Sequence, residues 1–255
     1  MQSSNQSNQN RPYALSIAGF DPSAGAGILA DIKTFENNGV YGLGVVSALT
    51  WQNDVEFEKI EWMDCYKIIQ QVSILLRRFD IRYIKIGLVE NINVLHQLVS
   101  FLHTRIKNPV IVFDPVMKAS AGFVFHQSVH EKFVEAMHSI YCITPNLPEA
   151  IQLFGGENLH DKLIRQSTLV NILLKGGHAN DPLATDILFT KQKTYSYSNA
   201  RLPKGEKHGS GCVLSSALTA HLALGHEIHT AAENANKYAY RFLSSNDSLL
   251  GYHNS

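Results

Sequence analysis

Apolar residues along the chain fall into two alternating patterns, short continuous runs and longer stretches with helical spacing. Tyr13–Gly19 (YALSIAG) and Val110–Phe113 (VIVF) are apolar almost without a break, which is typical of buried strands. Gly25–Asn38 instead places three apolar residues on one helical face. Strands that alternate with helices predict an α/β fold, with a mostly parallel central sheet and helices on both faces.

The same patterns predict the remaining elements. Further strands are expected at Tyr41–Leu49, Tyr83–Ile86, Tyr141–Ile143 and Leu169–Leu174, with a hairpin formed by Asp186–Thr190 and Thr194–Ser198. Further helices are expected at Trp62–Phe79, Asn91–Lys107, His130–His138, Pro148–Phe154, Cys212–Leu224 and Thr230–Leu243. No repeat or long linker divides the chain, so we expect a single domain over residues 13–250 after a disordered polar tail at 1–12.

The composition and net charge of the chain limit the kinds of partner that it is expected to bind. Lys and Arg together number 22, as do Asp and Glu, so the formal net charge is zero and neither nucleic acid nor a charged membrane surface is indicated. No apolar run has transmembrane length, and the polar tail has no signal-peptide character. The three cysteines form no CxxC pair, which favours a reducing compartment and a cytoplasmic location. The histidines complete no zinc ligand set at the usual spacing.

Polar and glycine residues follow the predicted strands repeatedly. Gly19–Gly27 follows the first strand and Gln52 the second, while Asp114, Asn146 and Lys175 follow later ones. Open α/β sheets bind ligands beyond the carboxyl ends of their strands. The sequence therefore predicts one binding crevice at this edge of the sheet.

The segment HGSGCVLSSALTAHLAL at 208–224 is the strongest indication of function in the sequence. A Gly-Ser-Gly-Cys turn leads into a helix, and the free N–H groups of a helix start, with its partial positive charge, attract anions. Gly209 and Gly211 allow close approach of the backbone, and the Cys212 thiol is expected to have a lowered pKa there. An ordinary glycine turn that caps a helix, with Ser210 near the cap, is the competing interpretation.

Two other nucleotide-binding motifs would indicate a different function. GAGILA at 25–30 fits the dinucleotide pattern G-x-G-x-x-[GA], which would indicate an oxidoreductase. The intervening GFDPSA and the absence of an acidic residue at the end of the second strand oppose that interpretation. The chain contains no Walker-type G-x-x-x-x-G-K-[ST] motif.

Three further positions have both a functional and a structural interpretation. Asp31 is either a solvated or capping carboxylate or an acceptor for a substrate hydroxyl. Gln52 offers a donor beside an acceptor, which matches an aminopyrimidine edge, although a surface glutamine is the simpler alternative. Asp114 in VFDPVM either forms an Asp-Pro turn or holds Mg²⁺ through water.

Two segments at later strand ends suggest phosphate chemistry. In TPNLPEA, Asn146 and Glu149 can act on Mg²⁺ or phosphate, or form a helix capping box, and both can hold at once. Lys175 ends an apolar strand before two glycines, and a lysine there suits a phosphate group.

These residues converge on a known family. The chain resembles the hydroxymethylpyrimidine/phosphomethylpyrimidine kinases of thiamine biosynthesis, which have a ribokinase-like three-layer fold. The resemblance covers residues 13–243 and rests on seven blocks in family order. The blocks are ALSIAGFDPSAGAGILADIKTFENNGVYG, SALTWQN, KIGLV, DPVM, TPNLPEA, LLKGGH and HGSGC-x-LSSAL.

The resemblance implies a two-step kinase that uses ATP and Mg²⁺. The hydroxymethyl oxygen of the pyrimidine attacks the γ-phosphate of ATP, and the monophosphate is then phosphorylated again. The implied pyrimidine pocket is lined by Gly19, Asp31, Gln52, Leu88 and Val116. Asp114, Asn146 and Glu149 are implied for Mg²⁺ and phosphate, Lys175 for the phosphate tail, and Gly209, Ser210, Gly211 and Cys212 for the anion hole. Cys212 stands where sugar kinases of this fold carry a catalytic Asp, and it either deprotonates or orients the hydroxymethyl group.

The chain departs from the family pattern in two places. Ser210 stands where Thr is commoner, and the hydroxyl is retained. KASAGFVF at 118–125 lacks the acidic residue or histidine that often follows its Ser-Gly, and we expect this segment to act as a lid. Relatives that accept pyridoxal or pyridoxamine make such a kinase the main alternative, and a pyrimidine sensor without turnover is a non-enzymatic one. The family often forms dimers, so a homodimer is expected.

Overall fold

The structure is a computed structural model that describes residues 11–116, 130–176, 182–203 and 206–253. Within these ranges the chain forms nine strands and eight helices. The strands are Tyr13–Phe20 (β1), Tyr41–Gln52 (β2), Phe57–Trp62 (β3), Tyr83–Ile86 (β4), Val110–Phe113 (β5), Cys142–Ile143 (β6), Asn171–Leu174 (β7), Leu183–Phe189 (β8) and Thr194–Ala200 (β9). The helices are Gly27–Asn37 (α1), Cys65–Leu76 (α2), Ile92–Arg105 (α3), His130–Met137 (α4), Leu147–Phe154 (α5), Leu159–Gln166 (α6), Ser210–Ala223 (α7) and Ile228–Ser244 (α8).

The nine strands form one sheet in the order β3-β2-β1-β4-β5-β6-β7-β8-β9. Neighbouring strands from β2 to β7 run parallel, whereas β3, β8 and β9 pair antiparallel at the two edges. The chain passes from β1 to β2 on one side and later returns to β4 on the other. The strand order therefore reverses beside β1, and open α/β sheets bind ligands beyond the strand ends at such a point.

Helices cover both faces of this sheet. On β5, Ile111 and Phe113 face a core shared with α2 to α6, whereas Val112 faces a core shared with α7 and α8. Helix α1 packs with α7 through a third cluster that contains Phe35 and Ala220. Successive side chains of a strand point to opposite faces, so continuous apolar strands serve both cores. The predicted α/β architecture is confirmed.

Helix α7 is small or apolar on every face because protein surrounds it. It packs against β1, β4 and β5 and contacts α1 and α8. Ten of its fourteen residues are buried, and a helix that is apolar all round is typical of such a position. The Gly-Ser-Gly-Cys turn at its start is therefore attached to one of the best-packed elements of the fold.

Three details differ from the sequence prediction. Trp62 ends β3, which pairs with β2, and the predicted helix over 62–79 begins only at Cys65. The Asp64 side chain caps that helix by accepting a hydrogen bond from Tyr66 N–H. Helix α6 was not predicted: it is only eight residues long, and Leu163 is its one buried residue. Strand β2 also runs to Gln52 rather than ending at Leu49.

The described residues begin at Arg11, within the predicted polar tail. Residues 1–10 of the predicted tail, and the predicted lid at 118–125 in full, lie outside the described residues. Arg11 donates hydrogen bonds to Glu36 and to the carbonyl of Val40, and Pro12 accepts one from Tyr41 N–H. Among the described helices, none is long and apolar enough to cross a membrane.

Candidate active site

An ion pair between Asp114 and Lys175 lies at the carboxyl edge of the sheet. Lys175 Nζ donates to Asp114 Oδ1 at 2.8 Å and lies 3.7 Å from Glu149 Oε2. Burial acts to lower the pKa of Lys175, but the charges of Asp114 and Glu149 outweigh it and raise that pKa above its ordinary value. The ammonium is therefore charged at neutral pH. The structure brings together three residues that the sequence placed after separate strands.

Further hydrogen bonds hold Asp114 in place. Thr144 donates to Asp114 Oδ1 at 3.1 Å, and Ser215 of α7 donates to Asp114 Oδ2 at 3.1 Å. Asp114 is only 1% exposed. A buried carboxylate is stable when it is paired and hydrogen-bonded, and these contacts supply both conditions. Asp114 thus connects the end of β5 with the strand end at Lys175 and with helix α7.

Asn146 and Glu149 form the capping box that was one of their two interpretations. The Asn146 side chain accepts from Glu149 N–H at 2.9 Å, and Glu149 Oε2 accepts from Asn146 N–H at 2.7 Å. A single parallel bridge joins Asn146 to Lys175. The capping interpretation is confirmed, and it also points the Glu149 carboxylate towards Lys175. The roles of both residues towards Mg²⁺ or phosphate stay a prediction.

The start of α7 lies beside Lys175. Gly209 caps the helix in the left-handed region at φ 74°, which favours glycine. A methyl group at Gly209 would lie 2.1 Å from the carbonyl oxygen of Gly25, and one at Gly211 would lie 3.2 Å from Lys175 Nζ. The first N–H groups of a helix have no partner within it and carry partial positive charge. The N–H groups of this turn and the Lys175 ammonium are hydrogen-bond donors on neighbouring elements, a combination that can bind a phosphate.

A buried contact between Asp21 and His208 locks this turn to the loop after β1. His208 Nε2 lies 2.8 Å from Asp21 Oδ2, and Asp21 also accepts from the N–H groups of Ser23 and Ala26. Burial opposes ionisation of Asp21, but the hydrogen bonds from His208, Ser23 and Ala26 lower its pKa. The contact between Asp21 and His208 was not predicted from the sequence. The only signal was that each flanks a glycine-rich turn.

The Cys212 thiol behaves differently from the expectation. Burial raises its pKa to about 11; the charge of Lys85 opposes this change, whereas Asp31 and Asp114 add to it. The prediction of a lowered pKa at the helix start is therefore wrong, because desolvation and two carboxylates outweigh the favourable charges. Cys212 is a neutral thiol at neutral pH.

Asp31 lies beneath the site rather than in it. Lys85 Nζ donates to both of its oxygens at 2.9 and 2.8 Å, and Ser16 and Ser216 donate to it at 2.6 Å each. Asp31 and Lys85 are both 0% exposed. The expectation that Asp31 accepts a substrate hydroxyl is corrected, because the interior already satisfies this carboxylate. Sequence reasoning missed Lys85, although a lysine within the buried strand YIKI needs an acidic partner.

The other predicted pocket residues separate into two groups. Gly19, Leu88 and Val116 lie at the reversal point of the sheet: a methyl group at Gly19 would lie 3.0 Å from Leu88 Cδ2, and Val116 N–H donates to the Asp114 carbonyl. Gln52 lies further out, in a cavity of about 480 Å³. That cavity is lined by Phe20, Pro22, Leu49, Thr50, Trp51, Gln52, Asn53, Glu56 and Glu58. Asp114 and Lys175 are not among the residues that line this cavity, whereas Phe20, which follows Gly19, lines it.

Comparison with known proteins gives a consistent result. A family model described as phosphomethylpyrimidine kinase matches residues 21–254. A hydroxymethylpyrimidine/phosphomethylpyrimidine kinase of Staphylococcus aureus (strain MRSA252) is 31% identical over 238 residues, which cover 88% of this chain and 85% of that protein. The crystal structure of phosphomethylpyrimidine kinase from Clostridium difficile 630 has a TM-score of 0.72 and 33% identity, covering 90% of this chain and 98% of that one.

A pyridoxal kinase of Bacillus subtilis, solved as an ADP complex, is also similar. It has a TM-score of 0.73 and 27% identity, and the match covers 89% of this chain and 90% of that one. Similarity over nearly the whole length of these structures confirms the expected ribokinase-like fold.

The buried Asp31–Lys85 pair predicts a large stability change. Lys85→Met leaves a buried carboxylate without its counter-charge, and we expect the free energy of unfolding to fall by about 3–5 kcal/mol. Asp31→Asn with Lys85→Met removes both charges and should recover most of this loss. Urea unfolding of the three proteins measures both effects. A Lys85→Met protein as stable as the wild type contradicts the assignment.

Proposed function

The chain belongs to the phosphomethylpyrimidine kinase family, and we propose that it phosphorylates 4-amino-5-hydroxymethyl-2-methylpyrimidine in two ATP-dependent steps during thiamine biosynthesis. The first step yields the monophosphate and the second the diphosphate. The observation that supports this most is the charged Lys175 between Asp114 and Glu149, beside the start of α7. The homodimer and the cytoplasmic location expected from the sequence are part of the same proposal.

Phosphoryl transfer depends mainly on how the protein positions the reactants and on the charges that stabilise the transferred group. The hydroxymethyl oxygen forms a bond to the γ-phosphorus of ATP, the bond from that phosphorus to the bridging oxygen breaks, and ADP and one proton leave. We assign stabilisation of the transferred phosphoryl group to the N–H groups at Gly209–Cys212 and to the Lys175 ammonium. Donors fixed before the reaction lower the barrier most, and burial of this helix and ion pair fixes them.

The acidic residues suit Mg²⁺ bound mainly by nucleotide phosphates. Asp114 and Glu149 provide hard oxygen atoms on either side of Lys175. Among the described residues, no group of three or more His, Cys, Asp or Glu is placed to hold a metal. Mg²⁺ needs only one or two carboxylates when phosphates and water complete its shell. We therefore expect Asp114 and Glu149 to hold it through water, where it would neutralise phosphate charge.

The pyrimidine is expected at the reversal point of the sheet. Gly19 lies against Leu88, and Val116 is held close to Asp114 by a hydrogen bond to its carbonyl. We assign these three residues to the flat face of the aromatic ring. We keep Gln52 as the residue that pairs with the aminopyrimidine edge, because its carboxamide can donate and accept side by side. Gln52 lines the neighbouring cavity together with Phe20, which follows Gly19.

Cys212 is best suited to orient the hydroxymethyl group. With a pKa of about 11, its thiol is protonated at neutral pH and is not a ready-made base. Gly27 N–H hydrogen-bonds to this residue and fixes its position at the first turn of α7. We propose that the neutral thiol holds the alcohol oxygen in line with the phosphorus, while the proton leaves as the new bond forms.

Product analysis with ATP, Mg²⁺ and the hydroxymethylpyrimidine tests the proposed function. We expect both the monophosphate and the diphosphate, and a kcat/KM for the pyrimidine at least about tenfold above that for pyridoxal. The comparison with pyridoxal is included because pyridoxal kinases share this fold. Faster turnover of pyridoxal, or no phosphorylation of either alcohol, contradicts the proposal.

The left-handed turn at Gly209 gives a second prediction. Gly209→Ala forces a methyl group against Gly25, so the turn must shift, and we expect kcat to fall by about 100-fold or more. Gly225→Ala is the matched control, because Gly225 has φ 86° but no atom lies within 4 Å of the added methyl group. The control should lose about 1 kcal/mol of stability and keep its kcat. Equal kcat in the two variants argues against an anion-binding role for the turn.

A pH profile tests the role of Cys212. A base that must first ionise with a pKa of about 11 makes the single-turnover rate rise about tenfold per pH unit between pH 7 and 9. For an orienting thiol we expect a change of less than about twofold over that range, and a loss of about tenfold in Cys212→Ala. A tenfold slope that disappears in Cys212→Ala identifies a base instead. A Cys212→Ala rate within about twofold of the wild type removes both roles.

A further inference from the structure

Two consecutive serines of α7 point their hydroxyl groups at two different buried carboxylates. Ser215 donates to Asp114 Oδ2 at 3.1 Å, and Ser216 donates to Asp31 Oδ1 at 2.6 Å. Both serines are 0% exposed. A hydroxyl group in an apolar interior is costly unless it is hydrogen-bonded, and a bond to a charged acceptor is stronger than one between neutral groups. The two contacts thus tie the helix to its surroundings, and the Ser216 contact is the shorter and stronger of the two.

The two carboxylates belong to separate ion pairs on separate elements. Asp114 pairs with Lys175 at the carboxyl edge of the sheet, and Asp31 of α1 pairs with Lys85 in the middle of β4. Helix α7 is therefore tied on one side to the candidate active site and on the other to the buried layer beneath it. Packing against the sheet, α1 and α8 holds the helix as a whole. The two hydrogen bonds add a constraint on its rotation close to its first turn.

The ties lie close to the reacting position. Ser215 and Ser216 are three and four residues after Cys212, which is about one helical turn, or roughly 5 Å along the axis. The single proton of the Ser215 hydroxyl group is shared between Asp114 Oδ2 and the carbonyl oxygen of Cys212, which lies 3.0 Å away, so this group links the first turn of α7 to Asp114. A rotation of the helix at these residues moves the N–H groups of the first turn relative to Lys175. Phosphoryl transfer is sensitive to such shifts because its catalysis is mostly positional.

We propose that Ser215 and Ser216 are positioning residues for phosphoryl transfer. They hold the first turn of α7 in the orientation at which its N–H groups and Lys175 meet the same phosphoryl group. Neither serine is assigned contact with substrate, and each acts through the carboxylate that it binds. The inference rests on the proposed kinase function and identifies how this chain keeps its anion-binding turn in place.

Removal of the two hydroxyl groups, singly and together, tests the proposal. We expect Ser215→Ala and Ser216→Ala each to lower kcat about fivefold, with the KM for the pyrimidine within about threefold of the wild type. The double variant should lose about 100-fold, more than the product of the single losses, because the helix then has neither tie. Thr219→Val is the control: Thr219 is also buried on α7, but its hydroxyl bonds only within the helix, to the carbonyl of Ser215. Its kcat should stay within about twofold.

Hydrogen exchange gives a readout that does not depend on turnover. In a peptide covering residues 208–214, exchange should be faster in the two serine variants and fastest in the double variant, but unchanged in Thr219→Val. Multiplicative kcat losses with unchanged exchange in this peptide overturn the proposal, as does equal behaviour of Thr219→Val. If the wild type phosphorylates no pyrimidine, the proposed function fails, while the exchange experiment still decides whether the serines hold the turn.

Discussion

The contact between Asp114 and Lys175 is the interaction on which the site depends. It joins residues from the ends of β5 and β7, which are not neighbours in the sheet, and it brings Glu149 and α7 to the same place. Without its acidic neighbours, a buried ammonium would lose its proton or move to solvent. The position of positive charge at the phosphate site is thus set by carboxylates that the fold had to bury.

A second buried lysine, beneath the candidate site, is also paired with a carboxylate. Asp31 and Lys85 form a second pair that solvent does not reach, and Ser216 connects it to α7. Buried pairs contribute little net stability, because desolvation offsets most of their attraction. In this protein the two pairs help to orient helix α7, because each of them accepts a hydrogen bond from that helix. Charges buried inside the protein thus contact the helix whose first turn we propose as an anion-binding site.

Much of the fold, and the meeting of Asp114, Glu149 and Lys175 at one edge of the sheet, could be predicted from the sequence, because both follow local rules. Continuous apolar runs identified the parallel strands, and parallel strands bring residues such as Asp114 and Lys175 to one edge. The burial of Asp31 could not be predicted, because its partner Lys85 lies 54 residues away. The raised pKa of Cys212 depends on packing around α7, which no local pattern reports. Edge strand β3 was missed because none of its six residues is buried, which leaves no continuous apolar run.

The Asp21–His208 contact has a consequence for how the protein is made. Its two residues are 187 positions apart, one just after the first strand and the other just before the penultimate helix. Until His208 has been synthesised, the loop after β1 has only its local hydrogen bonds from Ser23 and Ala26 to Asp21. Contacts between residues so far apart in sequence form slowly, and partly folded chains that lack them are open to aggregation. A nascent chain that stops before His208 therefore lacks the contact that joins this loop to the start of α7.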